Sequence, residues 1–188
     1  MRATFRELAM SNEDPHHRTW HLASTEAESR LTEFEFSILR FREAFEHWVL
    51  EAMRTTSDLE LTFAELCILH TLRMQARPTG GSGIARMLNR DDVPNIHYSL
   101  RKLANMKLIA PTKEKGGKAV NYSVTAEGVR LTNAYAELKR TVLLSSFQDL
   151  PGFDVKLSNC TRILSMLTGL YEESARVAAT YSPTTPGE

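Results

Sequence analysis

Residues 90–109 read RDDVPNIHYSLRKLANMKLI. A proline stands just behind paired aspartates, and an amphipathic pattern begins at once. At about 100° per residue, Ile96, Leu100 and Leu103 fall on one side, the side that must face a core. Pro94, Tyr98, Arg101 and Asn105 fall opposite, Asn95 and Lys102 flank them, and His97 sits at the border. Proline suits the first turn of a helix, where its missing N–H removes no hydrogen bond. Asp92 is expected to cap that turn, its carboxylate accepting the backbone N–H groups left over at a helix start, worth about 1 kcal/mol. Asp91 is left for capping or solvent, or for accepting from a cytosine amino group. The spacing predicts a helix over 93–107 with a polar outer face.

The segments around it give the context. Before it, LTFAELCILHTLRM (61–74) reads as a helix with Thr62 and Glu65 at capping-box spacing and Leu66, Leu69 and Met74 facing inward. ARPTGGSG (76–83) breaks that helix, and SGIARMLNR (82–90) reads as a short one with Ile84 and Leu88 on one face. After it the period changes from 3.6 to 2. LIAPTKEKGGKAVNYSVT (108–125) predicts strand, turn and strand, with Gly116 and Gly117 at the tip and Val120, Tyr122 and Val124 alternating. Helix–helix–helix–hairpin is the winged helix-turn-helix order.

Helices flank this lobe on both sides. From about residue 25, Leu31, Phe34, Ile38, Phe41, Phe45, Trp48 and Ala52 follow at steps of 3 and 4, the seam of a helix lying along a partner helix. Ser57 and Asp58 end it. TAEGVRLTNAYAELKRTVLL (125–144) reads as a helix capped by Thr125, with Leu131, Tyr135, Leu138 and Val142 inward. A last helix carries Leu157, Cys160, Leu164, Leu167, Tyr171 and Ala178 at heptad-like positions. The fold class is α+β, mostly α. The expected organisation is an N-terminal flexible arm (1–24), a dimerisation helix (25–57), a winged-helix DNA-binding lobe (58–128), C-terminal dimerisation helices (129–180) and a disordered tail (181–188).

Composition is that of a soluble globular chain: 188 residues, 42% hydrophobic and 24% charged. No apolar run approaches the length of a membrane span, no secretory signal opens the sequence, and a cytoplasmic location without a membrane partner is expected. The net charge is zero but unevenly placed. Residues 1–69 hold seven Lys/Arg against thirteen Asp/Glu, while 70–118 hold ten against three, a balance of +7. One basic block on a neutral chain offers a polyanion a single face.

At the level of helix order, residues 30–180 resemble the MarR family of bacterial transcriptional regulators. The most specific stretch runs from Leu61 to Gly128: LTFAELCILHTL, IARMLNR, IHYSLRKLANMKLI and YSVTAEG. The wing tip departs from the family, since KEKGGKAV lacks its Asp-x-Arg pair, and the N-terminal arm is long. The resemblance implies a homodimer, a repressor role and release from DNA by a small-molecule effector. That effector would sit between the dimerisation helices and the DNA-binding lobe, near Phe45, Trp48, His70, Arg73 and Met74.

The residues themselves nominate a DNA surface. Asn95 can pair with adenine and Arg101 with guanine, while Tyr98 can meet a phosphate or a thymine methyl, and Lys102 flanks them. Ser82, Arg86 and Arg90 near the third helix, and Lys113, Lys115 and Lys118 on the wing, are expected on the phosphate backbone. His16, His17 and His21 lack the accompanying ligands of a metal framework, so neither a metal nor a cofactor is expected. Cys67 and Cys160 read as buried small hydrophobes rather than redox sensors. Neither a P-loop, GxSxG, HExxH nor a dinucleotide fingerprint occurs, which disfavours an enzyme. The other reading kept open is a winged-helix protein-interaction module, which would expose an apolar patch on the outer face of 93–107.

Overall fold

A computed structural model of the chain describes residues 21–75, 77–113, 120–147 and 150–181. Most of the expected N-terminal arm, with His16 and His17, lies outside these residues. So do the wing tip with Lys115 and Lys118, the side chain of Lys113, and the tail from 182 onward. The chain divides into two compact units, residues 1–135 and 136–188.

In the first unit, α1 (Glu26–Thr56) starts with a reciprocal capping box. Thr25 Oγ1 accepts from the Glu28 N–H at 3.2 Å, and the Glu28 carboxylate accepts from the Thr25 N–H at 3.0 Å. Hydrogen bonds from Ser24, side chain first, hold Glu28 below the usual carboxylate range. Only the last third of the expected seam meets the core. Val49, Ala52 and Met53 are buried, whereas Leu31, Phe41 and Phe45 are exposed in the single chain.

The helix α2 (Phe63–Met74) repeats the capping box, with Thr62 N–H to Glu65 Oε2 at 2.8 Å and Glu65 N–H to Thr62 Oγ1 at 3.3 Å. Leu66 and Leu69 are fully buried as expected, but Met74 is 74% exposed. It is the last helical residue before the break, where nothing of the core remains to cover it. Next comes β1 (Thr79–Gly80), a strand of two residues that the sequence reading did not foresee. The short α3 (Gly81–Met87) and α4 (Val93–Asn105) follow.

Both helices end on a non-glycine residue in the left-handed region, Asn89 (φ 53°) after α3 and Lys107 (φ 60°) after α4. In each case a backbone N–H reaches back five residues, Arg90 to the Ala85 carbonyl at 2.9 Å and Leu108 to Leu103 at 3.0 Å. These are Schellman closures, which satisfy carbonyls that the helix end leaves open.

Strands β2 (Ile109–Lys113) and β3 (Val120–Val124) pair antiparallel from Ile109↔Val124 to Lys113↔Val120. With Thr79↔Tyr122 and Gly80↔Asn121, the sheet order is β1-β3-β2. Then α5 (Ala126–Leu138) begins on Thr125, whose Oγ1 accepts from the Gly128 N–H at 3.2 Å and donates to the Lys107 carbonyl at 2.6 Å. A Cβ at Gly128 would stand 2.2 Å from the Leu108 carbonyl oxygen, so the glycine lets α5 close onto the start of β2. The T-x-x-G pattern is thus a junction, with the threonine tying strand to helix and the glycine allowing contact. Ile68, Leu69, Ile84, Ile96, Leu100, Leu103 and Leu108 have no exposed surface and form the core of the lobe, with Leu131 of α5 beside them.

The end of α5 crosses the boundary into the second unit. There the helix loosens into a π-helical turn (Lys139–Leu143) and a 3-10 turn (Leu144–Phe147). Val142, expected inward, is exposed. Phe147 and Phe153 stack with ring centroids 4.6 Å apart across the bend, and Gly152 takes a left-handed φ of 66° to start α6 (Phe153–Ala178). No residue of α6 is buried in the single chain. Cys160 is exposed in the single chain, on the seam expected to meet a partner helix, while Cys67 is half-buried. Among the described residues, no helix is long and apolar enough to cross a membrane.

Candidate nucleic-acid interface

The apolar side of α4 decides its orientation. Ile96, Leu100 and Leu103 are sealed in the core, and Ser99 is buried beside them. Asn95, His97, Tyr98, Arg101 and Asn105 are left on the outer face, and Tyr98 is 63% exposed. Ser82 and Arg86 are exposed on α3. The start of α3 approaches α4 closely because Gly81 lies under the His97 ring, where an added Cβ would come within 2.7 Å of it. His97 therefore packs α4 onto the start of α3 while keeping its exposed edge.

Three expected roles change. Asp92 occupies the N-cap position, but its carboxylate caps nothing. Its ψ of 55° is not the extended value of a capping residue, and the carboxylate instead meets the forked guanidinium of Arg90. Arg90 Nε donates to Oδ1 at 2.7 Å while Nη2 donates to Oδ2. The Arg90 guanidinium holds Asp92 below the usual carboxylate range, and Asp92 raises Arg90 in return. Arg90, expected on a phosphate, is thus engaged within the turn, and the pair cancels a negative charge at the outer end of the helix.

Lys102, expected beside the readers, turns inward. Its ammonium lies 2.9 Å from Glu65 Oε2 and donates to the Glu60 carbonyl at 3.2 Å. The Glu65 side chain is only 4% exposed, so removing Lys102 would leave a buried carboxylate with less compensation. Pro94 keeps its expected place in the first turn.

Among the described cations of the basic block, Arg73, Arg77, Arg86, Arg101 and Lys107 are exposed and engage no carboxylate of the described residues. Arg77 is a cation that sequence reasoning did not nominate. It shares a hollow of about 180 Å³ with Arg73, Pro78 and Ser123, and only the pairing of β1 brings these segments together.

Of the residues expected near an effector, Phe45 and Trp48 lie on α1 and His70, Arg73 and Met74 on α2. Phe45 packs edge-on against Phe63 at 5.7 Å and stacks on Phe41 at 6.1 Å. His70 lies 4.6 Å from the Tyr135 ring, and burial raises the Tyr135 hydroxyl above its ordinary pKa. The Trp48 indole N–H is buried close to that hydroxyl without reaching hydrogen-bond geometry. Arg73 and Met74 stand exposed in the last turn of α2, one turn beyond His70. A hollow of about 640 Å³ opens between the end of α1, the 57–62 connection and α4, lined by Leu50, Met53, Arg54, Asp58, Leu61 and Lys102. Its walls come from the continuous stretch 50–62 and from Lys102 of α4, which only folding brings beside it.

Residues 61–128 match a family model described as a winged helix DNA-binding domain. No curated protein sequence matches the chain. Solved structures do, through shape. A MarR-family transcriptional regulator from Rhodococcus sp. RHA1 aligns at 18% identity over 74% of this chain and 93% of that one, with a TM-score of 0.57. BpsR of Bordetella bronchiseptica, whose DNA binding is regulated by 6-hydroxynicotinic acid, aligns at 22% identity over 70% and 98%, with a TM-score of 0.52. CouR of Rhodococcus jostii RHA1, solved with p-coumaroyl-CoA, aligns at 20% identity over 68% and 87%, with a TM-score of 0.54.

Proposed function

The chain carries a winged-helix DNA-binding domain on the fold of the MarR-family regulators, and from that premise we propose that it is a sequence-specific transcriptional regulator. It acts as a homodimer on pseudo-palindromic operators, as a repressor, with one α4 helix in the major groove of each half-site. The observation that carries this reading is the outer face of α4. Its inner residues are fully buried while Asn95 and Arg101 are presented together, the two side-chain types that read adenine and guanine edges. Tyr98 is the only large apolar side chain exposed on that face, which favours DNA over the protein-interaction module.

The uncovered seams of α1 and α6 support the homodimer. Phe41, Leu157, Leu164 and Tyr171 are apolar, exposed and regularly spaced, as expected for surfaces that a second copy covers. Two-fold symmetry sets half-sites about 10 base pairs apart. Release by a small molecule is supported by BpsR and CouR, whose ligands are small organic molecules. A ligand needs only a differential affinity for two dimer states to act in this way.

Capture of fragmented genomic DNA on the purified chain, followed by sequencing, tests the proposal. The expected result is an enriched pseudo-palindrome with half-sites one helical turn apart. Retention without any enriched sequence at modest salt would overturn it.

A further inference from the structure

We propose that Arg90 and Asp92 are positioning residues for base reading: together they fix which way the Asn95 carboxamide faces. The inference rests on the regulator reading above and adds to it a determinant that touches no base.

A carboxamide has two ends of nearly equal shape and opposite hydrogen-bonding character, an N–H₂ that donates and an oxygen that accepts. At the exposed start of a helix it rotates and flips, and a flipped amide offers the wrong pattern to adenine. Adenine presents an acceptor (N7) beside a donor (N6), so the side chain must bring one N–H and its oxygen in a set order. The structure supplies the missing constraint. Asn95 Nδ2 lies 3.3 Å from Asp92 Oδ2, and an ionised carboxylate only accepts, so it selects the N–H₂ end. That contact uses one of the two N–H groups. The other N–H and Oδ1 remain, and these are the donor and acceptor that adenine needs.

Asp92 would be a poor anchor if its own side chain turned freely. It does not, because Arg90 binds it in fork geometry, Nε to Oδ1 at 2.7 Å and Nη2 to Oδ2. The same fork lowers the Asp92 carboxyl below its ordinary value, which favours the ionised, acceptor-only form. It also answers an electrostatic difficulty. A lone aspartate at the groove end of a recognition helix repels phosphate, whereas an Arg90–Asp92 pair is neutral. The unusual Asp92 backbone fits this role, since its carboxylate is turned away from the helix N–H groups and toward Arg90 and Asn95. Arg90 in turn is placed by the left-handed Asn89, which closes α3 and sends the chain back toward α4.

The test uses the full-length chain and selection of bound duplexes from a randomised library, with wild type, Asn95→Ala, Asp92→Ala, Arg90→Ala, Arg90→Lys and the double variant Asp92→Ala/Asn95→Ala. Wild type is read first. If it shows no base preference, the regulator reading and this one both fall. If it shows one, Asn95→Ala identifies the position that Asn95 reads. Asp92→Ala and Arg90→Ala are then expected to relax preference at that same position by about fivefold or more, near the low end of a bidentate contact. Arg90→Lys should behave like Arg90→Ala, since an ammonium keeps the charge but not the fork. The double variant should show no further loss there beyond Asn95→Ala, which a merely structural role would not produce.

A DNA-free readout guards against variants that fold poorly. The Asn95 Nδ2 proton resonances should move in Asp92→Ala and Arg90→Ala and stay in place in Arg86→Ala. The inference is overturned if Asp92→Ala and Arg90→Ala weaken binding equally on all sequences while Asn95→Ala alone changes base preference. In that event the regulator reading stands without it.

Discussion

The helices α4 and α6 carry the same kind of sequence signal and meet opposite fates. In α4, Ile96, Leu100 and Leu103 recur at helical spacing and are buried completely. In α6, Leu157, Leu164 and Tyr171 recur just as regularly, and Leu157 is 54% exposed. Periodicity states which face of a helix is apolar but not what covers it. For α4 the cover comes from α2, α3, β2 and α5 of the same chain. The apolar stripe of α6 stays exposed in the single chain, and the proposed second copy would cover it. The two regions should therefore answer differently to the same perturbations, the lobe without regard to protein concentration and the terminal helices through it.

The largest effects belong to the lobe. Gly128→Ala puts a methyl group 2.2 Å from the Leu108 carbonyl oxygen, a backbone atom that cannot move without shifting the strand it belongs to. A loss of about 3 kcal/mol or more is expected, at the upper end of overpacking costs. Leu100→Ala removes a side chain with no exposed surface and should cost about 3 kcal/mol through lost transfer energy and a residual cavity. Urea unfolding at two protein concentrations checks both. The loss should be the same at each, and a loss that shrank at high concentration would break the contrast between the regions.

Next comes the seam. Wild-type unfolding should show a midpoint that rises with protein concentration, and Leu157→Lys/Leu164→Lys should abolish that rise. Each lysine is expected to cost the associated state about 1–2 kcal/mol of apolar burial while leaving the separated chain nearly unchanged. Sedimentation of the same variant should give a monomer where wild type gives a dimer. A variant that remained dimeric would mean that α6 is covered in another way.

The contrast also marks what could be read from the residues alone. The core face of α4, the capping box at Thr62 and the wing pairing were legible because each is written within a few adjacent residues, and the same spacing at Thr25 and Glu28 went unread. What escaped was written across distance. β1 is two residues inside a Pro/Gly break and exists only through pairing with Asn121 and Tyr122. Lys102 looked like a surface cation because its partner Glu65 lies 37 residues away. Asp92 looked like a cap because Asp is a good capping residue, and only the backbone angle with the Arg90 fork reverses that reading. The effector residues were chosen for lying on helices near a junction, and the ring partners that Phe45 and His70 meet, Phe63 and Tyr135, could not be named from either helix alone.

Thr25 and Thr62 offer a smaller test of the same contrast, because one motif occurs in both regions. Thr62→Ala removes the cap of a helix whose buried face anchors the core, and its partner Glu65 also holds Lys102 of α4. A global loss of about 1 kcal/mol is expected. Thr25→Ala opens the first turn of α1, where the neighbouring residues are exposed, so that turn can fray without the rest unfolding. Its global loss should stay within a few tenths of a kcal/mol, with faster amide exchange confined to about residues 26–29. Equal losses for the two would mean that α1 is as firmly committed to the core as α2.

The smallest effect is the acid response of the Arg90–Asp92 pair, and its sign follows from the direction of the shift. The fork holds the Asp92 carboxyl below the 3.8 of an unperturbed aspartate, so the folded chain binds that proton more weakly than the unfolded one. Its contribution to stability is therefore complete above the unfolded value and disappears as pH falls through the lower folded value. Glu28 and Glu127 are lowered too, by Ser24 and Arg130 respectively, so acid will weaken any variant that retains them. Only the difference between wild type and Asp92→Asn isolates the fork. Wild type should have the higher urea midpoint near pH 6, and the gap should close as pH falls below the unperturbed 3.8 and through the lower folded value. The pair is half-buried and still partly screened by solvent, so the gap should be modest and narrow further in salt. A gap that stayed constant with pH would assign the fork no ionic share in stability and leave orientation of Asn95 as its whole effect.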